Sequence, residues 1–140
     1  MTKTILVVED DIELLNLYEE ILQVNRYNVQ TAINGEEAVS KYRQIQPDFV
    51  VMDVDMPKLD GYEAFSQIIE MDKNAKVVIV TGYSEFEPKN KRALQQGLVS
   101  VILKPIGVDT LLGLVKKYSD VKNLEKQDLG SNSNLERSIS

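Results

Sequence analysis

The stretch Asp48-Phe-Val-Val-Met-Asp-Val-Asp-Met-Pro-Lys-Leu-Asp-Gly61 decides how the rest of the chain is interpreted. Its first part, Phe49 to Met52, is an unbroken apolar run between polar residues, which is typical of a strand buried on both faces of a sheet. Asp53 and Asp55 follow at the carboxyl end of that strand, where open α/β sheets bind their ligands. A carboxylate buried there is costly unless a cation or strong donors meet it. We therefore expect Asp53 to belong to a polar site.

Short strand-like runs, of which Val29–Ala32 is the weakest, alternate with segments of helical spacing along the chain. The expected strands are Ile5–Val8, Val29–Ala32, Phe49–Met52, Val77–Val80 and Ser100–Leu103. The expected helices are Ile12–Leu22, Glu36–Ile45, Gly61–Met71, a short helix from Pro88 to Gly97, and Val108–Tyr118. A strand followed by a helix, repeated along the whole chain, predicts an α/β fold with a doubly wound parallel sheet and helices on both faces.

The first helix has more apolar residues than one face needs. Asp11 is placed as its N-cap. The residues expected to form its buried arc are Leu14, Leu17, Tyr18, Ile21 and Leu22. Ile12 and Leu15 are then expected at or beyond the edge of that arc.

Composition excludes several classes of chemistry. The chain of 140 residues suits one domain, and it contains neither cysteine nor histidine. Disulfides, thiolate metal sites, zinc chemistry and a histidine-based triad are therefore excluded, and any metal must be bound by oxygen. The net charge of −6 argues against nucleic acid as a direct partner.

The distribution of apolar residues sets the expected location and boundaries. No apolar stretch approaches the roughly 18 residues that span a bilayer, and no signal peptide is evident, so we expect a soluble, cytoplasmic protein without membrane insertion. Apolar content drops beyond Asp120. We expect a domain over residues 1–120 and a polar tail over 121–140, which extends the last helix and then becomes disordered.

Polar groups stand at the end of four of the expected strands. They are Glu9 and Asp10 after the first strand, Asp53 after the third, Thr81 after the fourth and Lys104 after the fifth. Because these ends are neighbours in a doubly wound sheet, the three carboxylates would repel one another unless a hard divalent cation joined them, which favours Mg²⁺, with Mn²⁺ as the alternative. A hydroxyl and an ammonium opposite them form an anion site. Together these groups describe phosphoryl transfer onto an aspartate.

On these residues the chain resembles a response-regulator receiver domain of two-component signalling, of the chemotaxis-receiver type, over residues 3 to about 120. The resemblance implies a flavodoxin-like sheet in the order 2-1-3-4-5. It also implies that Asp53 accepts a phosphoryl group from a sensor histidine kinase or phosphotransfer protein. Such a chain is not a classical enzyme, but it catalyses its own phosphorylation and slow dephosphorylation.

The resemblance assigns further roles residue by residue. Glu9 and Asp10 match the acidic pair that holds Mg²⁺ together with Asp53 and the backbone carbonyl of Asp55. Thr81 matches the switch hydroxyl, and Lys104 matches the lysine that contacts the phosphoryl oxygens.

Other positions that the resemblance singles out modulate or extend this chemistry. Lys104-Pro105 matches a cis peptide of the family, and Asp55 and Tyr83 stand where the family tunes hydrolysis. Val101 departs from the pattern, because the family often carries an aromatic ring there that swings inward on phosphorylation. The usual rotamer switch is therefore in doubt.

Docking and output are less determined by the sequence. Ile12, Leu15, Pro105 and Ile106 are expected to form the patch that receives the kinase, against the simpler interpretation that they mark the margin of the core. A downstream protein target and a phosphorylation-dependent dimer are further expectations. Both a stand-alone receiver and a piece of a longer regulator fit the sequence.

Two alternatives remain open at this point. A haloacid-dehalogenase-type phosphatase also has Asp-x-Asp after a buried strand, as in Asp53-Val54-Asp55, but it needs a second acidic pair where this chain has Thr81 and Lys104. A pseudo-receiver that acts only as an interaction module would have no need of the complete set of polar groups.

Overall fold

The computed structural model describes residues 2–82 and 87–130 of the chain. Its strands are β1 (Thr4–Val8), β2 (Asn28–Ala32), β3 (Phe49–Asp53), β4 (Val77–Thr81) and β5 (Ser100–Leu103). Its helices are α1 (Ile12–Val24), α2 (Gly35–Ile45), α3 (Gly61–Met71), α4 (Pro88–Gln95) and α5 (Val108–Gly130). Each expected strand and helix is present, with ends within about two residues of those expected except at the end of α5.

The strands form one parallel sheet in the order β2-β1-β3-β4-β5. In its register Leu6 lies opposite Val50, and Val51 lies opposite Val78. β3 is central, and every residue in it is buried, as its continuous apolar sequence predicts. The order confirms both the doubly wound fold and the strand order that the resemblance implied. It brings the carboxyl ends of β1, β3, β4 and β5 to one edge of the sheet.

Helices cover both faces of this sheet, so the core has two layers. Alternate residues of each strand face opposite layers, with Ile5 and Val7 in one and Leu6 and Val8 in the other. α1 and α5 pack on the first layer, whereas α2, α3 and α4 pack on the second.

The inner face of α1 differs from the expected one. Leu15 is buried together with Tyr18 and Leu22, whereas Leu17 is 49% exposed and Ile12 is 52% exposed. The placement of Leu15 at the edge of the core and of Leu17 inside it is therefore wrong. Eight of the 13 residues of α1 are apolar, so two overlapping arcs are equally apolar and periodicity alone does not distinguish them.

Two close approaches fix the elements around the carboxyl edge. Gly35 begins α2, and a Cβ added there would lie 2.0 Å from the carbonyl oxygen of Leu59. Gly61 begins α3, and a Cβ there would lie 2.3 Å from the carbonyl oxygen of Asp53. Any side chain larger than hydrogen would push the loop between β3 and α3 out of place.

The last helix extends past Tyr118 into the tail, as expected, and α5 continues to Gly130. The residues beyond it, where the disordered tail is expected, lie outside the described part of the chain, and the domain boundary at residue 120 stays a prediction. Of the helices in residues 2–82 and 87–130, none is long and apolar enough to cross a membrane.

Candidate functional site

Three carboxylates meet at the carboxyl edge of the sheet. Glu9 and Asp10 directly follow β1, and Asp53 ends the neighbouring strand β3. One carboxylate oxygen from each lies within 4.8 Å of the others. Glu9 and Asp53 are only 4% and 3% exposed, whereas Asp10 faces solvent. Two carboxylates of the cluster are therefore buried, and the third, Asp10, is accessible to solvent.

The basic group of the site is already paired. Lys104 follows β5, and its Nζ lies 2.8 Å from Oδ1 of Asp53. Its backbone N–H donates to the carbonyl oxygen of Thr81 at 2.8 Å, so the end of β5 is tied to the end of β4. Lys104-Pro105 is a cis peptide bond, as the resemblance implied. Thr81 itself is fully buried.

Burial sets the protonation of these groups. It raises the pKa of Glu9 to about 7, although the Asp11 backbone N–H donates to Glu9 Oε2 at 3.1 Å and opposes the rise. Burial also raises the pKa of Asp53, and Lys104 opposes that rise. For Lys104, burial alone would lower the pKa, but pairing with Asp53 outweighs it and the pKa is raised overall. The site is thus short of positive charge.

The donor set fits a hard divalent cation. Three carboxylates that converge from two strand ends supply oxygen ligands only, which suits Mg²⁺ or Mn²⁺ better than a transition metal that prefers nitrogen or sulfur. The exposed face at Asp10 leaves room for the waters that Mg²⁺ keeps.

The remaining predicted positions lie around this cluster. Asp55 is exposed, and with Asp10 it borders a cavity of about 560 Å³. Val101 in β5 is partly buried against the second core layer. Pro105 is exposed, and Ile106 packs partly against the layer beneath α1 and α5. Tyr83 lies outside the described residues.

Sequence reasoning missed one pair near the site. Tyr62, directly after the Asp60-Gly61 turn, donates a hydrogen bond from its hydroxyl to Asn90 in α4, and Asn90 is fully buried. The only sequence signal was the amide side chain of Asn90, in a predicted helix whose other residues are mainly polar. No local pattern indicates which residue from another helix would meet it.

Comparison with known proteins places the chain in a family. The family model of the response regulator receiver domain matches residues 5–116. The chain belongs to this family.

Among curated relatives of this receiver, the chemotaxis protein CheY of Treponema pallidum is 41% identical over 105 residues, which cover 73% of this chain and 72% of that protein. A CheY-like receiver domain from Methanospirillum hungatei superposes with a TM-score of 0.84 at 27% identity, over 89% of this chain and 99% of that one. The CheX–CheY–BeF₃–Mg²⁺ complex from Borrelia burgdorferi gives a TM-score of 0.75 at 33% identity, over 82% of this chain and 87% of that one. The receiver therefore belongs to two-component signalling.

Proposed function

We propose that this receiver accepts a phosphoryl group on Asp53 from a sensor histidine kinase or phosphotransfer protein, in a reaction that depends on Mg²⁺. The observation that carries the proposal is the environment of Asp53. This carboxylate is buried, lies 2.8 Å from an ammonium group and converges with two further carboxylates. Phosphoryl transfer to a carboxylate needs a buried nucleophile with an ammonium group beside it and with further carboxylates that can hold a metal ion.

The transfer step follows from these groups. An oxygen of Asp53 attacks the phosphorus atom, and the bond from phosphorus to the donor breaks with its electron pair leaving on the donor. Glu9, Asp10 and Asp53, with the backbone carbonyl of Asp55, would hold Mg²⁺. When bound, the ion would neutralise charge on the phosphoryl oxygens. Lys104 is then free to exchange its partner from Asp53 to a phosphoryl oxygen, and the Thr81 hydroxyl would donate to another.

Hydrolysis of the aspartyl phosphate completes the cycle. Water attacks the phosphorus from the side opposite Asp53, the bond from phosphorus to the Asp53 oxygen breaks with its electron pair returning to that carboxylate, and inorganic phosphate leaves. Asp55 is exposed and borders a cavity of about 560 Å³ through which water can enter. The Asp55 carboxylate would accept a hydrogen bond from this water and position it.

The surface for the protein donor is revised by the structure. Leu15 is buried and is removed from it. We keep Ile12 on α1 and Ile106 and Pro105 after β5 as contacts for the kinase. Ile12→Ala should slow transfer from the kinase while it spares labelling by a small acyl phosphate.

The test of the proposal is labelling of Asp53→Asn. A small acyl phosphate in Mg²⁺ should label the wild-type chain, and EDTA should abolish the labelling. Asp53→Asn should not be labelled, whereas Asp60→Asn should be, because asparagine keeps the cap that Asp60 gives to Glu63 N–H. Full labelling of Asp53→Asn would overturn the assignment, and an unlabelled wild type would favour a module that only binds partners.

A further inference from the structure

A hydrogen bond between side chains joins α3 and α4, the helices that follow the two halves of the site. The Tyr62 hydroxyl, in the first turn of α3, donates to Oδ1 of Asn90 in α4. Asn90 is fully buried, which is uncommon for an amide side chain. The ammonium of Lys89 lies 5.8 Å from the centre of the Tyr62 ring and adds a cation–π contact. The proposed chemistry at Asp53 uses none of these groups.

α4 has little apolar contact to hold it in place. Its only buried residues are Asn90 and Ala93, whereas α3 buries Phe65 and Ile68 among others. A cleft of about 290 Å³, bordered by Tyr62 and Lys89, lies between α3 and α4. Because Ala93 contributes one methyl group, apolar burial by α4 itself is small, and the hydrogen bond from Tyr62 to the buried Asn90 adds to what holds this helix.

The two ends of this contact are attached to different parts of the site. Gly61, just before Tyr62, donates its N–H to the carbonyl oxygen of Val54 at 3.1 Å, and only its lack of a Cβ lets it lie beside the Asp53 carbonyl oxygen. Asn90 lies in the helix that follows Thr81 along the chain. The contact therefore spans the segment after Asp53 and the segment after Thr81.

We propose that the Tyr62–Asn90 hydrogen bond is a latch that holds α4 against α3, and that phosphorylation of Asp53 opens it; the second half rests on the proposed function. A phosphoryl group on Asp53 attracts the Thr81 hydroxyl, and movement of Thr81 is passed to α4. A hydrogen bond is lost beyond about 3.5 Å, so a displacement of about 1 Å is enough.

The side chain on β5 supports this route. Val101 packs against the same core layer as Tyr62, and it has neither a ring nor a polar group. A ring on β5 is therefore not available to carry the movement, and the Tyr62–Asn90 contact is the one that the displacement of α4 would break.

Amide hydrogen exchange of residues 88–95 in the full chain tests whether the latch exists. Tyr62→Phe keeps the ring and removes the hydroxyl, so exchange in α4 should speed up by roughly tenfold. Asn90→Leu removes the acceptor and should have a similar effect. Tyr42→Phe is the matched control, because it removes the hydroxyl that donates to Asp72 at 2.7 Å, a contact that involves no residue of α4, and it should leave exchange in α4 unchanged. Unchanged exchange in Tyr62→Phe would overturn the latch.

Binding of beryllofluoride with Mg²⁺, followed by fluorine NMR, tests the coupling to phosphorylation. If phosphorylation opens the latch, removing the latch must favour the phosphorylated state by reciprocity, so Tyr62→Phe should bind beryllofluoride about three- to tenfold more tightly than the wild type or Tyr42→Phe. Equal or weaker binding by Tyr62→Phe would refute the coupling and leave the proposed function intact. No binding by the wild type would refute the proposed function and the coupling together, and the exchange experiment would still decide whether the latch exists.

Discussion

Single residues of the site combine deep burial with unbalanced charge. Asp53 and Glu9 are both almost inaccessible, yet only Lys104 offers Asp53 a positive charge at contact distance in the part of the chain that the structure describes. Burial favours the neutral form of a carboxyl group, and here it outweighs the nearby donors for both residues. The sequence indicated which residues would meet, but not that Lys104 would already pair with Asp53, because the direction of a long side chain depends on packing.

Leu15 and Leu17 of α1 form a matched pair, because they are two residues apart and only Leu15 is buried. Leu15→Ala should lower the free energy of unfolding by about 2–5 kcal/mol, because it leaves a cavity in the layer with Tyr18 and Leu22. Leu17→Ala, at a half-exposed position, should change it by no more than about 0.5 kcal/mol. Urea unfolding of both variants measures the difference. Equal effects of the two substitutions would contradict the burial of Leu15 and the exposure of Leu17.

Asp55 is expected to control how long the phosphorylated state survives. Asp55→Lys should lengthen the lifetime of the aspartyl phosphate by roughly tenfold, about 1.4 kcal/mol of barrier, because the lysine would pair with phosphoryl oxygens and block the attacking water. Decay of labelled wild type and variant, followed side by side, measures it. An unchanged or shorter lifetime would show that only the backbone carbonyl of Asp55 takes part.

Strands and helices were predicted better than the contacts between them. The strands are short and, apart from β2, mainly apolar, and caps such as Asp11 and Asp60 mark where α1 and α3 begin, so local sequence largely determines their bounds. The inner face of α1 was not determined locally, since apolar residues surround much of the helix. The contact from Tyr62 to Asn90 joins residues 28 positions apart, and no local pattern specifies such a pair.

Gly61 at the start of α3 provides the test for contacts between elements. Gly61→Ala should destabilise the fold by about 1–3 kcal/mol and slow labelling of Asp53, because its Cβ would meet the Asp53 carbonyl oxygen at 2.3 Å. Gly113→Ala in α5 is the control, since nothing lies within 4 Å of its Cβ, and it should stabilise by about 0.5–1 kcal/mol. Urea unfolding and a labelling time course measure both. A Gly61→Ala variant as stable and as reactive as the wild type would contradict the close approach.

For the whole molecule, topology was the most predictable property. Five strand–helix repeats leave few arrangements once crossovers must be right-handed and both faces of the sheet covered. The strand order then brings residues that are far apart in sequence, such as Glu9, Asp53 and Lys104, to one edge. What topology does not determine is how burial shifts their protonation, which depends on the packed structure.

Stability of the whole fold should therefore depend on Mg²⁺ and pH together. The pKa of Glu9 is raised from 4.5 to about 7 in the folded chain, so without metal the stability it contributes is present below pH 4.5 and is lost as pH rises through 7. Mg²⁺ bound at the proposed site would replace that proton. We expect Mg²⁺ to raise the free energy of unfolding more at pH 8 than at pH 6, by about 1.4 kcal/mol for a roughly tenfold change in apparent affinity.

Urea unfolding with Mg²⁺ or EDTA at both pH values measures this effect. Glu9→Gln should show a smaller difference between pH 6 and pH 8, because the titrating carboxyl is absent. A Mg²⁺ effect that is equal at both pH values in the wild type would contradict the raised pKa.

The ion pair between Lys104 and Asp53 has a kinetic consequence. Three carboxylates and one ammonium leave up to two negative charges in the site, so an incoming phosphoryl donor, itself an anion, is repelled from it. A divalent cation would cancel that excess, and Lys104 would then no longer be needed to neutralise Asp53. Phosphorylation should then follow a compulsory order, cation first and donor second, and raising the donor concentration should not compensate for a missing cation.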